Sequence, residues 1–193
     1  MSNQKLITAT VNVFSYNFNE TTLFIQALKD LTLEKKVLFA CIGTDRATGD
    51  SLGPLVGTNL KRLGYDVIGT IEEPLHAQNL TERLNEVNQE LKPDLVIAID
   101  ACLGDLERIG TISMENKSLK PGVGVKKELP SVGDISIMGI VNMSGFLELQ
   151  VLQCTRLDTV MKMANSIVHM IWRAIPAPHS RLRRSNTSNT LSY

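Results

Sequence analysis

The sequence predicts an α/β protein whose parallel central sheet is covered by helices on both faces. Two nearly continuous apolar runs, 37–42 and 95–99, indicate strands that are buried on both sides. Segments with apolar residues at helical spacing lie between the strands, so strand and helix alternate along the first half of the chain. This alternation is typical of a parallel sheet, because right-handed crossovers place the helices on its faces.

The individual elements follow from the spacing of apolar residues and from the residues that end each run. Helical spacing predicts helices over 20–31, 52–63, 78–91 and 157–174. Apolar or alternating runs predict strands over 37–42, 66–71, 95–99, 109–114 and 135–141. Gly64 ends the second helix, and Pro93 ends the third. The pattern leaves 146–154 unassigned and predicts a loop over 117–132.

Length and composition predict one α/β domain over 1–175, followed by a flexible basic and polar tail over 176–193. The tail lacks the apolar residues that would offset the entropy of ordering, and a basic docking arm is the alternative. The rest of the chain is mildly acidic, so we expect no nucleic-acid partner.

Hydropathy and cysteine usage bear on the compartment. No apolar segment approaches the roughly 18 residues of a membrane-spanning helix, so we expect no membrane contact. The three cysteines have neither metal-type spacing nor the even count of a disulfide framework. We therefore expect a reducing, cytoplasmic location, and we expect no cofactor.

Two acidic residues follow strands of the predicted sheet. Asp50 lies in the Gly-containing loop after the run 37–42, and Asp100 directly follows the run 95–99. Ligands of open parallel sheets bind beyond the carboxyl ends of the strands, so both acids are candidates for one crevice. When two carboxyls lie close together, one keeps its proton while the other is charged. Such a pair can polarise water and protonate a leaving group, as in aspartic-type peptide hydrolysis.

Other interpretations of these residues stay open. Asp50 is also suited to cap the following helix, because its carboxylate can accept from the free N–H groups of the first turn. Asp50, Asp100 and His76, with the acids at 72–73, offer donors for a divalent metal, although no pair has a diagnostic spacing. A Cys102–His76 nucleophilic pair is a further alternative. A phosphate-binding loop is disfavoured, because Asp50 stands where such a loop carries lysine.

Three segments carry a resemblance to known families. They are 49–54 (GDSLGP), 99–101 (IDA) and 120–127 (KPGVGVKK). These segments resemble the germination protease of endospores. Over about 36–175 the chain resembles the YyaC-like sporulation protein family, which is related to that protease and to the hydrogenase maturation peptidases. The segments 132–137 and 157–164 belong to this longer match.

The resemblance implies a three-layer α/β/α sandwich of the phosphorylase/hydrolase type, with a mostly parallel or mixed central sheet. It also implies a role in sporulation or germination, in the cytoplasm of the sporulating cell or in the spore. The germination protease is similar to an atypical aspartic enzyme with two aspartates, which map to Asp50 and Asp100. Its substrates are small acid-soluble spore proteins, so a peptide or small spore protein is the expected partner. Asp45, Lys126 and Lys127 are predicted to contact the substrate.

We therefore expect a peptidase-like hydrolase of the aspartic type that uses Asp50 and Asp100. A non-catalytic sporulation factor that binds a peptide or partner protein on the same fold is the alternative. No metal is expected. If a metal binds, the predicted ligands are Asp50, Asp100 and His76. The loop before Ile135 lacks the histidine that the maturation peptidases use for nickel, so nickel is not the expected metal. The oligomeric state, a homo-oligomer included, stays open.

Overall fold

A mixed β-sheet forms the centre of the structure, a computed structural model that describes residues 7–15, 17–121 and 131–177. Within these residues the strands are β1 (Thr8–Asn12), β2 (Val37–Cys41), β3 (Asp66–Ile68), β4 (Leu95–Gly104), β5 (Thr111–Glu115) and β6 (Ile135–Met143). The six strands form one sheet in the order β1-β5-β6-β4-β2-β3. β3, β2, β4 and β6 run parallel to one another, whereas β5 pairs antiparallel with both β6 and β1.

Helices cover the two faces of this sheet. They are α1 (Phe18–Thr32), α2 (Leu52–Arg62), α3 (Leu80–Leu91), α4 (Glu148–Gln153) and α5 (Leu157–Ala174). Side chains alternate along a strand, so Phe39 and Cys41 of β2 join the larger apolar core, whereas Ala40 joins a second core. α1, α2 and α5 supply buried side chains to the larger core, and Leu80 of α3 belongs to the second. This arrangement confirms the predicted α/β class with a mixed central sheet.

Three strands differ from the sequence prediction by more than two residues. The strand predicted over 66–71 ends at Ile68, because Gly69 has a φ of +86° and turns the chain away from the ladder. β4 continues to Gly104, because its second half pairs with the long strand β6. β1 was not predicted, and its antiparallel pairing with β5 completes one edge of the sheet. These differences arise from pairing between segments that are distant in sequence.

Two further expectations concern the second half of the chain. The segment 146–154, which the pattern left unassigned, contains the short helix α4. The predicted tail lies mostly outside the described residues, since nothing after residue 177 is described, so the boundary at 175 stays a prediction. No described helix combines the length and the apolar character that a bilayer crossing requires.

A glycine allows α2 to pack directly on the end of β2. A Cβ atom on Gly53, in the first turn of α2, would lie 2.0 Å from the carbonyl oxygen of Ile42. Only glycine therefore permits this approach, which fixes the helix over the strand that precedes the loop 43–48.

Gly53→Ala should lower the free energy of unfolding by at least about 2 kcal/mol, because α2 would have to move away from β2. Denaturant titration followed by circular dichroism measures the change. Gly145→Ala is the matched control, since a Cβ there meets nothing within 4 Å, and its effect should stay within about 0.5 kcal/mol. Equal effects of the two substitutions would contradict the close helix–strand contact.

Candidate active site

The loop after β2 folds back over its own strand and places Asp50. Gly43 has a φ of +132°, and a Cβ there would lie 2.0 Å from the carbonyl oxygen of Asp50. The Asp50 carboxylate accepts a hydrogen bond from the backbone N–H of Thr44, at 2.9 Å from Oδ2. The first turn of α2 receives no side-chain cap. The helix-cap interpretation of Asp50 is therefore wrong, since this carboxylate closes the loop instead.

Asp100 lies within β4, which corrects the prediction that it would follow the end of its strand. The last β2–β4 pair joins Cys41 to Ile99, so Asp100 occupies the first position of β4 beyond the end of β2. It remains paired with Met138 of β6 on the other side. Its side chain is only 8% exposed, and Oδ1 accepts from the N–H of Ala101 at 2.8 Å. The carboxyl is thus held by the sheet at the point where one neighbouring strand stops.

One cavity of about 450 Å³ brings the two predicted acids together. Asp50 and Asp100 both line it, at the carboxyl end of β2. Other polar or ionisable side chains share the lining, namely Thr44, Arg46, His76, Cys102 and Gln153. The remaining wall is apolar and consists of Ile42, Ala47, Ala77, Ala101, Leu103, Pro121, Leu149 and Leu152, together with Gly43. The cavity therefore combines a few polar groups with an apolar wall, as small-molecule and peptide sites do.

The two carboxyls have different electrostatic surroundings. Burial raises the pKa of Asp100 well above its ordinary value, the nearby charge of Asp50 raises it further, and the Ala101 N–H opposes both effects. Burial also raises the pKa of Asp50, but the Thr44 N–H and the charge of His76 oppose that shift. Asp100 is therefore the carboxyl that keeps its proton, and Asp50 is the one that ionises first.

The predicted metal alternative is not assembled in the described residues. No group of three or more His, Cys, Asp or Glu side chains in that part of the chain is arranged to hold a metal ion. Asp50, Asp100 and His76 share the cavity without forming such a group, and the acids at 72–73 are exposed outside it. Glu73 instead lies 3.8 Å from Arg83.

Cys102 also lines the cavity, but its thiol is not activated. Burial raises the pKa of Cys102 to about 11, the charge of Asp100 contributes in the same direction, and Arg108 opposes the shift. The thiolate is the nucleophilic form of cysteine, so a raised pKa disfavours nucleophilic attack at neutral pH. The raised pKa of the Cys102 thiol therefore disfavours the Cys102–His76 alternative.

Of the three residues predicted to contact substrate, Asp45 alone lies in the part of the chain that the structure describes. Asp45 is exposed, lies 3.5 Å from the Thr44 hydroxyl, and is not among the residues that line the cavity. Lys126 and Lys127 fall outside the described residues. Pro121, which precedes them in the sequence, does line the cavity. Substrate contact by these three residues stays a prediction.

Sequence reasoning missed the wall that α4 contributes. Leu149, Leu152 and Gln153 line the cavity, although the helical pattern of 146–154 is too short to identify. Arg46 was also missed. Arg46 and Asp45 are neighbours in the same loop and both are exposed. The sequence therefore gave no signal that Arg46 lines the cavity and Asp45 does not.

The fold and this cavity define a mixed α/β protein with two acids, one buried and one partly buried, in a cavity at the end of its central strands. The chain belongs to the family described as "Protein of unknown function (DUF1256)", whose family profile matches residues 12–170. This assignment agrees with the predicted resemblance, because the relatives include the protein that typifies the YyaC-like family.

Three curated relatives are similar in sequence. The chain is 52% identical over 134 residues to "Uncharacterized protein YyaC" of Bacillus subtilis, a match that covers 68% of this chain and 65% of YyaC. It is 28% identical over 131 residues to the "Germination protease" of two Clostridium perfringens strains, which covers 58% of this chain and 40% of each protease. The chain therefore spans less than two thirds of the length of each relative.

Two solved structures from Thermococcus kodakarensis resemble the chain in architecture. The [NiFe] hydrogenase maturation protease HycI has a TM-score of 0.48 and 20% identity, and the match covers 75% of this chain and 98% of HycI. The [NiFe] hydrogenase maturation protease HybD has a TM-score of 0.45 and 15% identity, and the match covers 70% of this chain and 95% of HybD. At these scores neither likeness bears on function, and the fold assignment rests on the strand order itself.

Asp100→Asn should raise the melting temperature at neutral pH, because a neutral amide removes the cost of either protonating this carboxyl or burying its charge on folding. The folded-state pKa of Asp100 lies above its unfolded value, so the wild type loses stability as the pH rises from about 4 through the raised pKa. This gain should be absent below about pH 4. Each kcal/mol of added stability should raise the melting temperature by about 2–4 °C. Thermal unfolding between about pH 3 and pH 8 measures it.

Asp158→Asn is the matched control for this experiment. Asp158 is exposed, and its hydrogen bond with Lys162 at 2.8 Å lowers its pKa. Removing that carboxylate should give no gain at neutral pH, because its charged form is favoured in the folded state. A melting temperature of Asp100→Asn at or below the wild-type value across the whole pH range would contradict a buried, proton-holding Asp100.

Proposed function

We propose that this chain is a peptidase-like hydrolase that cleaves peptide bonds with Asp50 and Asp100. The observation that carries the proposal is the unequal acid pair, in which both carboxyls face one cavity and differ in how readily they ionise. General acid–base catalysis needs one group that accepts a proton and one that donates it under the same conditions. Asp50 is suited to accept, and Asp100 is suited to donate.

The proposed reaction begins with a water molecule between the two carboxyls. Ionised Asp50 takes a proton from the water as its oxygen bonds to the peptide carbonyl carbon, and Asp100 gives its proton to the carbonyl oxygen. The resulting tetrahedral gem-diol then breaks down. Asp50 passes its proton to the amide nitrogen, the C–N bond breaks, and a hydroxyl of the intermediate returns a proton to Asp100. The enzyme is thereby restored to its starting protonation state.

Sequence similarity supports a peptide as the substrate. The match covers only a part of each germination protease. We therefore assign their activity to this chain only as a proposal. We take the substrate to be a peptide or a small spore protein in the cytoplasm of a sporulating cell. The cavity agrees with a peptide, since an apolar wall faces the acid pair and Arg46 and Gln153 offer polar groups.

The residues of the cavity favour an acid-pair mechanism over a cysteine mechanism. Cys102 is the cysteine that lines the cavity, and its raised pKa, about 11, keeps the thiol protonated. Cys41 is fully buried in the apolar core, where burial raises its pKa still further. Cys154 is exposed and does not line the cavity. An aspartic-type reaction uses ionised Asp50 and protonated Asp100. It therefore does not require the unfavourable ionisation of a buried thiol.

Asp50→Asn and Asp100→Asn should each lower kcat/KM for peptide cleavage by at least about 100-fold, because each removes one proton-transfer step. Cleavage of small acid-soluble spore proteins and of a mixed peptide library, followed by mass spectrometry, measures the loss. Asp158→Asn should cleave at the wild-type rate, since Asp158 is exposed on α5 and does not line the cavity. Cleavage at the wild-type rate by either active-site variant would exclude the proposed pair. Peptide binding without any turnover by the wild type would favour the non-catalytic alternative.

Cys102→Ala should retain activity within about threefold and should keep a bell-shaped dependence of kcat/KM on pH. The acid limb should report the protonation of Asp50, and the alkaline limb should report the ionisation of Asp100. Initial rates across the pH range measure both limbs. A loss of about 1,000-fold or more in Cys102→Ala would indicate a cysteine nucleophile instead.

A further inference from the structure

Four large apolar side chains are exposed together where β6 leads into α4. They are Met143, Phe146, Leu147 and Leu149, which we call the apolar rim. Phe146 is 99% exposed, so its ring contributes almost nothing to the core of this chain. Several large exposed apolar side chains within one short segment are a candidate binding surface.

The apolar rim is continuous with the candidate active site. Leu149 is 63% exposed and at the same time lines the cavity that holds Asp50 and Asp100. Leu152, one turn further along α4, forms the adjoining part of the cavity wall. Leu149 therefore belongs both to the rim and to the cavity wall.

The backbone holds the rim in place. Leu147 has a φ of +66°, an unfavourable conformation for a leucine, and its carbonyl accepts from the N–H groups of Gln150 at 2.8 Å and Val151 at 3.2 Å. The Asn142 amide donates to the carbonyl of Val151 and to the hydroxyl of Thr155, both at 3.2 Å. These bonds fasten α4 to the end of β6, although α4 buries none of its own residues.

A glycine joins this unit to the acid pair. A Cβ on Gly49, next to Asp50, would lie 2.8 Å from a methyl carbon of Leu152 and 2.8 Å from the hydroxyl oxygen of Thr155. The turn that carries Asp50 and the helix that carries Leu149 are therefore in direct contact. The position of the rim relative to the acids is set by packing and does not depend on a free loop.

We infer that the apolar rim is the specificity subsite of the proposed peptidase and that it takes large apolar side chains of an extended peptide substrate. The inference rests on the proposed function and adds the chemical class of the segment that is bound. A peptide whose scissile bond reaches the acids places neighbouring side chains against Leu149 and Phe146. Binding there buries apolar surface on both partners, which is favourable in water.

The test measures binding separately from cleavage. The probes are two fluorescein-labelled peptides of about twelve residues with the same polar background, one with Leu-Phe and the other with Ser-Ser at the centre. Binding is followed by fluorescence anisotropy with the full chain as the Asp50→Asn variant, so that cleavage does not consume the probe. The Leu-Phe peptide should bind at least about tenfold more tightly than the Ser-Ser peptide, the difference expected for one buried aromatic side chain.

Phe146→Ser and Leu149→Ser, each combined with Asp50→Asn, should remove that preference. Leu33→Ser is the matched control, because Leu33 is 66% exposed but lies just before β2, at the end of the sheet opposite the cavity. It should leave the preference unchanged. A preference that survives both rim substitutions would overturn the inference, as would equal binding of the two peptides or binding of neither.

Gel filtration of the same proteins distinguishes a second possible occupant. A dimer that Phe146→Ser dissociates would show that the rim pairs two copies of the chain, and this result would overturn the assignment to substrate. The inference and the proposed function fail separately. Selective peptide binding by Asp50→Asn without cleavage by the wild type would support the subsite and exclude the peptidase, whereas cleavage without apolar preference would do the reverse.

Discussion

The close approach of the loop after β2 to its own strand is the constraint on which the candidate site depends. Gly43 lets the backbone of Asp50 pass where a side chain would otherwise stand, and Gly53 lets α2 begin directly on Ile42. These two contacts bring a residue from the loop back over the end of β2. The neighbouring strand β4 extends beyond that end, and Asp100 is its first residue to do so. The two carboxyls line one cavity because one strand stops early and its loop returns over the gap.

This arrangement has an energetic consequence for the whole domain. A buried carboxyl such as Asp100 opposes folding when it is charged, and a second acid nearby increases the effect. The two apolar cores on the faces of the sheet must therefore stabilise the fold without help from the site. Sites of this kind are typical of proteins that hold reactive groups in unfavourable surroundings, where activity and stability compete.

Much of the fold was predictable because its signals are local. The run 95–99 is apolar enough to specify a buried strand, and the stripe on α5 specifies a helix packed on one face. The continuation of β4 was not predictable, since 101–104 (ACLG) has no alternation and is a strand only because β6 pairs with it. β1 depends in the same way on β5. For the site, the two acids were visible as strand-end residues, but the wall from α4 was not, because six residues are too few to show a helical period.

The two carboxyls are held by different kinds of structure. Asp100 belongs to a central strand whose ladder continues on the β6 side, whereas Asp50 belongs to a short turn that Gly43 and a bond to Thr44 close and that packs against α4 through Gly49. The sheet therefore acts as a fixed reference, and any adjustment of the spacing between the acids falls to the turn. Changes in the loop 43–51 can retune the distance between the two groups while the strands stay as they are.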